Sequence, residues 1–449
     1  MRGMSSLEEL AATARRLPGD HGSAPAASNL SALMARRARD GGHQPFLTFY
    51  DDATGERTEL SYATFDNWVC KTANLLAEEL EVGRGDRVAT VLGNHWTTVV
   101  VAFACWKVGC AAVPIDADDP AVQARGLLEA SEATTAFVRE DLLDELDALR
   151  PGAALRQLVA VGAGLGARLT IDAALPGDVL PYGEEVLAFG DDYDDPAVDL
   201  DDEALLILPS RGGQMPAGVR LTQRNLLAAA EALGGWGLDR DDRLLCAQPV
   251  QLTEGLALAH LGPFVAGASV VLTRASDPAG LWRRIADERV TLLIPAPSAL
   301  DRLPDGPPPA GLRGALVPAG AAFAMIDAAA RAVPLAVGHG LVEATCASTL
   351  TPLGLGGETR TWLAAADGRP VGAVTSRAAV AALDGDGAPL ASGAPGRLAV
   401  RGPVVMAGYD GRADLDEQVF ASGWFATAER GFTDVGPDGR THVFVTGPA

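Results

Sequence analysis

Two hydrophobic rhythms run along this chain. From residue 29 to about residue 341, short apolar runs alternate with stretches whose apolar positions recur every three or four residues. That is the pattern of buried strands separated by amphipathic helices. Asn29 stands where a helix cap is expected, ahead of Leu30, Leu33 and Met34. Phe46–Tyr50 predicts a strand, 51–55 its turn, and Thr58–Tyr62 the returning arm of a hairpin. A long helix follows to about Leu80, then a turn at Gly83–Asp86 and a buried strand over Arg87–Leu92. The most apolar stretch, Thr97–Ile115, is interrupted by Lys107, Gly109 and Pro114, and reads as a buried helix running into a strand. Leu205–Leu208, Ala268–Leu272, Thr291–Ile294 and Gly314–Val317 continue the rhythm as buried strands. After about Thr351 the texture changes to short strands, such as Ala379–Leu383 and Arg397–Val400, separated by Asp/Gly turns.

This alternation predicts an α/β protein: two stacked α/β subdomains with mainly parallel sheets, plus a small antiparallel β subdomain. The expected boundaries are a loose tail over 1–28 with a short helix near 7–16, a first α/β subdomain over 29–200, a second over 201–350, and the β subdomain over 351–449. Pro-, Gly- and Asp-rich residues 162–202 read as a connection between the first two.

Charge narrows the choice of partners. The 449 residues carry a net charge of −22, which opposes binding to nucleic acid or to an anionic membrane surface. No signal peptide and no membrane-inserting segment is expected. Five cysteines without C-x-x-C spacing fit buried thiols in a reducing compartment, so a cytoplasmic protein is expected. Lysine occurs only at Lys71 and Lys107, so any lysine-dependent chemistry must use one of these two. Gly162–Ala167 fits G-x-G-x-x-A, but a strand-like Leu169–Ile171 stands where a dinucleotide site needs a helix. The acidic run Asp191–Asp195 reads as a solvated linker.

Several segments, in order, resemble the adenylate-forming superfamily of acyl- and aryl-CoA synthetases, adenylation domains and luciferases. They are Gly85–Val88 with Trp106–Asp116, Leu221–Leu226, Gly340–Thr345, Gly396–Leu398 with Arg401–Tyr409, and Gly423–Thr427. The resemblance covers residues from about 29 to the last and implies the fold of the large N-terminal domain of these enzymes, without their C-terminal domain. It also implies a chemistry in which a carboxylate attacks the α-phosphate of ATP, two anions that the protein must neutralise.

Carried over residue by residue, the resemblance implies a nucleotide site made by Ser210, Arg211, Gly212, Gly213, Gly218, Gly320, Ala321, His339, Gly340, Thr427 and Glu429. It puts magnesium at Glu343 and an acyl pocket at Leu252, Gly255, Ala319, Gly320 and Leu341. Departures from the family pattern are as telling. Pro216, Gly218 and Val219 match a Pro-Lys-Gly-Val run, which puts Ala217 where the family has a lysine. Arg211 either replaces that cation or is a surface arginine. His339 either stacks on a base or is structural. Glu429 stands where the family has a ribose-binding Asp, one methylene longer. Neither Lys71 nor Lys107 aligns with a catalytic position.

The expectation is therefore a divergent ligase-family protein that binds a carboxylic acid, with ATP or AMP and Mg2+ implied as cofactors. Ligase activity of the isolated chain should be weak or lost, and a separate C-terminal domain, carrier protein or synthetase would be its partner. Two alternatives remain open at the sequence level: a non-catalytic accessory protein, and an ATP-independent catalyst that reuses the acyl pocket. The small and apolar pocket positions favour an apolar acyl or aryl group.

Overall fold

The computed structural model describes residues 29–50, 56–119, 121–144, 154–162, 171, 175–194, 197–209, 217–273, 278–295, 308–318, 335–352 and 355–449. The helix expected near 7–16, the turn over 51–55, the G-x-G-x-x-A run from 163 on, the loop over 210–216 and residues 319–321 lie outside them. Among the described residues there are twenty strands: β1 (Pro45–Tyr50), β2 (Arg57–Ser61), β3 (Arg87–Val91), β4 (Ala111–Pro114), β5 (Thr135–Arg139), β6 (Gln157–Val161), β7 (Val179–Pro181), β8 (Glu203–Ile207), β9 (Val219–Thr222), β10 (Arg243–Cys246), β11 (Ser269–Thr273), β12 (Leu292–Ile294), β13 (Gly314–Pro318), β14 (Leu335–Gly338), β15 (Arg369–Ala373), β16 (Ala379–Leu383), β17 (Gly396–Arg401), β18 (Gly408–Tyr409), β19 (Phe425–Val435) and β20 (Thr441–Pro448).

They form three sheets. An eight-stranded sheet runs β18-β9-β8-β4-β3-β5-β6-β7, and a seven-stranded sheet runs β14-β13-β12-β10-β11-β1-β2. Each is parallel except at one edge, where β9 and β18, or β2, pair antiparallel. A five-stranded antiparallel sheet, β15-β20-β19-β17-β16, completes the fold.

The two large sheets do not divide the chain at residue 200. The early hairpin β1-β2 belongs to the seven-stranded sheet, with β1 parallel to β11 at Leu47 opposite Val270. Strands β8 and β9 complete the eight-stranded sheet, with β8 beside β4. Strand alternation locates strands but says nothing about pairing between distant segments, and these swaps are wholly non-local.

Local signals explain the elements themselves. Asn29 caps the helix Leu30–Gly41, its side chain accepting from the Ala32 amide, and the helix buries Leu30, Leu33 and Met34. Ser61 caps Tyr62–Asn74, after which a wider turn, Leu75–Glu79, replaces the α-helix expected to reach Leu80. Helix Trp96–Val108 is buried at every position, Lys107 included. Phe46, Tyr62, Phe65, Phe103 and Phe264 interlock between the two large sheets, with Phe46 and Phe65 edge to face at 4.7 Å.

Buried polar groups fix the packing. The Gln223 side chain accepts from the Leu30 amide at 3.1 Å and donates to the Trp106 carbonyl at 2.8 Å. Asn225, in a reciprocal cap with Thr222, donates to the Pro403 and Val405 carbonyls at 2.8 and 2.7 Å. Arg87 joins Asp410 at 2.7 Å and Glu203 at 3.1 Å, tying three segments of the chain at one point.

Glu288 anchors the β1-β2 hairpin to the rest of the seven-stranded sheet. It takes hydrogen bonds from Arg57 at 2.8 Å, and from Tyr50 and Arg243. Burial opposes its charge, but these donors outweigh burial and hold its pKa down to about 2. A depressed carboxyl stabilises the fold fully above its unfolded pKa, and that contribution is lost as pH falls through the folded value. Glu288→Gln should therefore cost roughly 3 kcal/mol at neutral pH, the order expected for breaking a buried pair. In urea melts the gap between parent and variant should close as pH falls from the ordinary Glu range toward 2. A gap independent of pH would show that the carboxylate charge does not hold the hairpin.

Candidate functional site

Parallel strands leave their carboxyl ends as the natural ligand edge of such a sheet. In the seven-stranded sheet this edge carries a narrow cleft with an interior volume of about 20 Å³. Ile294 (β12), Leu316 and Val317 (β13) and Gly338 (β14) form its apolar strand-end wall, Leu258 and Leu350 close it, and Gln248, Glu254, Gly340 and Cys346 complete the lining.

The segment after β10 shapes one side. Gln248 donates to the Pro295 carbonyl at 2.8 Å, and its own carbonyl accepts from Asn94 at 3.1 Å. The chain then enters a wide-turned helix, Glu254–Leu261. Gly255 is required there, because a Cβ would lie 2.4 Å from the Pro249 carbonyl oxygen. The His260 Nδ1 donates to the Gly255 carbonyl at 2.6 Å, since a carbonyl can only accept. Burial pushes the His260 pKa down to about 4, so the ring is neutral at pH 7.

The other side begins at β14. A single 3-10 turn, Val342–Ala344, presents Glu343, and Thr345 and Cys346 follow with φ of 49° and 55°. Two consecutive non-glycine residues in the left-handed region are held by their surroundings. The Thr345 hydroxyl donates to Val404 at 2.6 Å, and the Cys346 amide to Leu341 at 2.8 Å. The Glu343 Oε1 accepts from the Tyr409 hydroxyl at 2.9 Å. Burial, then Glu343, pushes the Tyr409 pKa far up, so the phenol stays protonated. Tyr409 occupies one oxygen of the expected magnesium ligand, leaving the other for a cation. Among the described residues no cluster of three His, Cys, Asp or Glu could hold a metal alone, so a magnesium ion here would need phosphate oxygens as further ligands.

At the rim, the His339 Nε2 lies 2.6 Å from the Glu429 Oε2, and Arg369 lies 3.8 Å from the Oε1. Burial alone would raise the Glu429 pKa, but His339 and Arg369 outweigh it and hold the carboxyl below its ordinary range. His339 and Glu429, singled out separately in the sequence, are thus one pair across 90 residues.

Other expected site residues have different neighbours. The Thr427 hydroxyl donates to Leu398 at 2.8 Å inside the antiparallel sheet. Gly218 sits at the start of β9 with its carbonyl accepting from the Asp410 amide at 2.7 Å. Leu252 is 38% exposed. Leu252, Gly255 and Leu341 lie outside the cleft lining, whereas Gly340 is in it. Ser210, Arg211, Gly212, Gly213, Ala319, Gly320 and Ala321 lie outside the described residues. Sequence reasoning missed Gln248, Glu254 and Cys346. The available signal was a Gln and a Glu flanking Pro249 and Gly255 at the end of an apolar strand.

Both lysines are committed elsewhere. Lys71 donates to the Phe189 carbonyl. Lys107 is buried, 3.1 Å from the Cys70 Sγ and 3.4 Å from Asp66.

The close approach at Gly255 gives a test of the wide turn. Gly255→Ala should destabilise the protein by roughly 1–3 kcal/mol, the cost of overpacking, read as a lower urea midpoint at unchanged slope. An alanine tolerated without loss would mean that Pro249 does not press on this position.

Comparison with known proteins agrees with this geometry. A profile of the family described as AMP-binding enzyme matches residues 34–410. A protein of Mycobacterium tuberculosis is 36% identical over 261 residues, which is 56% of this chain and 91% of the relative. A feruloyl-CoA synthase of Amycolatopsis is 29% identical over 428 residues, covering 92% of this chain and 78% of the relative. Among solved structures, the inhibitor-bound N-terminal domain of FACL13 from Mycobacterium tuberculosis superposes with a TM-score of 0.78 at 20% identity, over 94% of this chain and 100% of that one. The anthranilate CoA ligase AuaEII with anthranoyl-AMP gives 0.77 at 19% identity, over 95% and 79%. With its two parallel sheets, its antiparallel sheet and this match over most of its length, the chain belongs to the AMP-binding enzyme family of adenylate-forming acyl-CoA ligases.

Proposed function

We propose that this chain binds a small carboxylic acid in the cleft at the carboxyl edge of the seven-stranded sheet and a nucleotide along its rim, and that it adenylates the acid only slowly by itself. The observation that carries this reading is a rim that keeps its carboxylates beside a changed phosphate loop. Glu343 and the His339–Glu429 pair are in place beside the cleft, while Ala217 stands at the position of the family's loop lysine. Relatives named as feruloyl-CoA synthase, indoleacetate–CoA ligase and 2-succinylbenzoate–CoA ligase support a carboxylic acid as substrate and CoA as acceptor.

In this reading Ser210, Arg211, Gly212, Gly213 and Gly218 cradle the phosphates. Gly320, Ala321, His339 and Gly340 flank the base, and Glu429 faces the ribose. Glu343 shares Mg2+ with the phosphates. Thr427 supports Glu429, whose amide donates to the Thr427 hydroxyl at 3.2 Å. Arg211 is the one cation in the loop, and guanidinium suits phosphate. No helix among the described residues is long and apolar enough to cross a membrane. The five cysteines are buried and form no disulfide, which supports a reducing, cytoplasmic setting.

Acid-dependent pyrophosphate release tests the proposal. Across a panel of carboxylic acids the parent should show little turnover. Ala217→Lys should raise it by about 10²–10³, the scale of one electrostatic donor at such a site. Robust turnover by the parent would overturn the claim of slow adenylation. An Ala217→Lys variant no faster than the parent would overturn the assignment of this position to phosphate.

A further inference from the structure

A second hollow, an open groove of about 700 Å³, lies on the antiparallel sheet. Its volume is in the range of ligand sites. One wall is the turn that follows β16, with Asp384 and Asp386, and the other is Gln418 and Ser422 at the end of the helix Ala413–Val419. Both walls are fixed. The Asp384 side chain closes its turn by accepting from the Asp386 and Ala388 amides at 2.9 Å each. Gly387 packs on the opposite wall so tightly that a Cβ would lie 2.7 Å from the Ser422 Cβ. The groove is therefore preformed, which lowers the cost of filling it.

Its floor carries Arg397 of β17 and Arg430 of β19, which are register partners. Residues directly opposed across two strands share a face with their Cβ atoms about 5 Å apart, and like charges there repel. Arg397 is clamped in place, its Nε donating to the Thr427 carbonyl at 2.8 Å and an Nη to the Ala426 carbonyl at 3.4 Å. The rest of its N–H donors are unspent. The Arg430 guanidinium makes no hydrogen bond or ion pair among the described residues. In a chain of net charge −22, two arginines set against each other without a carboxylate between them leave room for an anion.

Charge in the groove decides which anion. Two adjacent guanidiniums match a phosphate monoester, which carries close to two negative charges at neutral pH and accepts from forked donors. A carboxylate brings one charge to the pair. A second phosphate would meet Asp384 and Asp386, whereas hydroxyl or ammonium groups would donate to them.

We infer that this groove binds a phosphate monoester whose body carries hydroxyl or amino groups and no second phosphate. The phosphate bridges Arg397 and Arg430, and the body faces the Asp384–Asp386 turn. The site is distinct from the proposed nucleotide rim: Glu429 pairs with His339, while its neighbour Arg430 lines the groove. The inference stands whether or not the chain adenylates an acid.

Calorimetry on the full chain tests it, with glucosamine 6-phosphate, glucose 6-phosphate, fructose 1,6-bisphosphate, glucosamine and inorganic phosphate as probes. Each monophosphate should bind about tenfold or more tighter than inorganic phosphate, glucosamine or the bisphosphate. Arg430→Gln should weaken the monophosphates about tenfold with the melting temperature unchanged, because this side chain is exposed and holds nothing else. Asp386→Asn should weaken glucosamine 6-phosphate and strengthen the bisphosphate. Arg397 also braces the sheet, so Arg430 is the deciding variant. No binding of the monophosphates at millimolar concentration, inorganic phosphate bound as tightly as they are, or affinities unchanged by Arg430→Gln would overturn the inference.

Discussion

The parallel pairing of β1 with β11, at Leu47 opposite Val270, is the constraint on which the rest of the structure depends. It carries the first strand of the chain into the sheet built by residues 243–338, past the whole run β3–β9 that builds the eight-stranded sheet. The seven-stranded sheet thus takes strands from both sides of the β3–β9 run, and the eight-stranded sheet takes its edge strand β18 from beyond β14, so neither is completed by one stretch of chain. The core between them is one continuous cluster running from Leu30 through Phe103 and Phe264 to Phe425. Contacts of such long sequence separation favour cooperative but slow assembly. They also explain the buried polar ties. Gln223, Glu288 and Arg87 each bridge segments more than 100 residues apart, where a misplaced sheet would leave charges and amides unpaired.

That constraint also places the cleft. Strands β10, β12, β13 and β14 end at one edge because they are parallel, and the loops that leave them must carry the functional groups. The Gly255 turn brings Glu254 to this edge, and the strained Thr345–Cys346 pair turns the chain just after Glu343. Tyr409, next to β9 through β18, reaches Glu343 across 66 residues. The rim is thus assembled from both large sheets and the antiparallel one, which supplies Glu429.

Much of this was legible in the sequence. Strand and helix positions followed from periodicity because each apolar run is bounded by local turn and cap signals, as at Asn29, Ser61 and Thr222. The family resemblance singled out Glu343, His339 and Glu429 as candidates. What could not be read was partnership. That His339 faces Glu429, or that Tyr409 caps Glu343, is set by packing between segments with no sequence signal linking them. Glu254 was hidden for a different reason. An acidic residue at the head of the apolar run Gly255–Leu261 looks like a solvated helix start, and only the press of Gly255 on Pro249 turns it into the cleft. Gln248 looks ordinary until its amide is fixed by Pro295.

The central claim is that the carboxyl edge of the seven-stranded sheet is a working ligand site even though the loop lysine is gone. Amide hydrogen exchange on the full chain, with and without para-hydroxybenzoate plus AMP and Mg2+, tests it most directly. The ligands should protect amides in 248–258 and 338–346, the two segments that form the cleft and its rim, and leave the antiparallel strands β16 and β17 unchanged. No protection in either segment, or protection confined to surfaces remote from them, would contradict it.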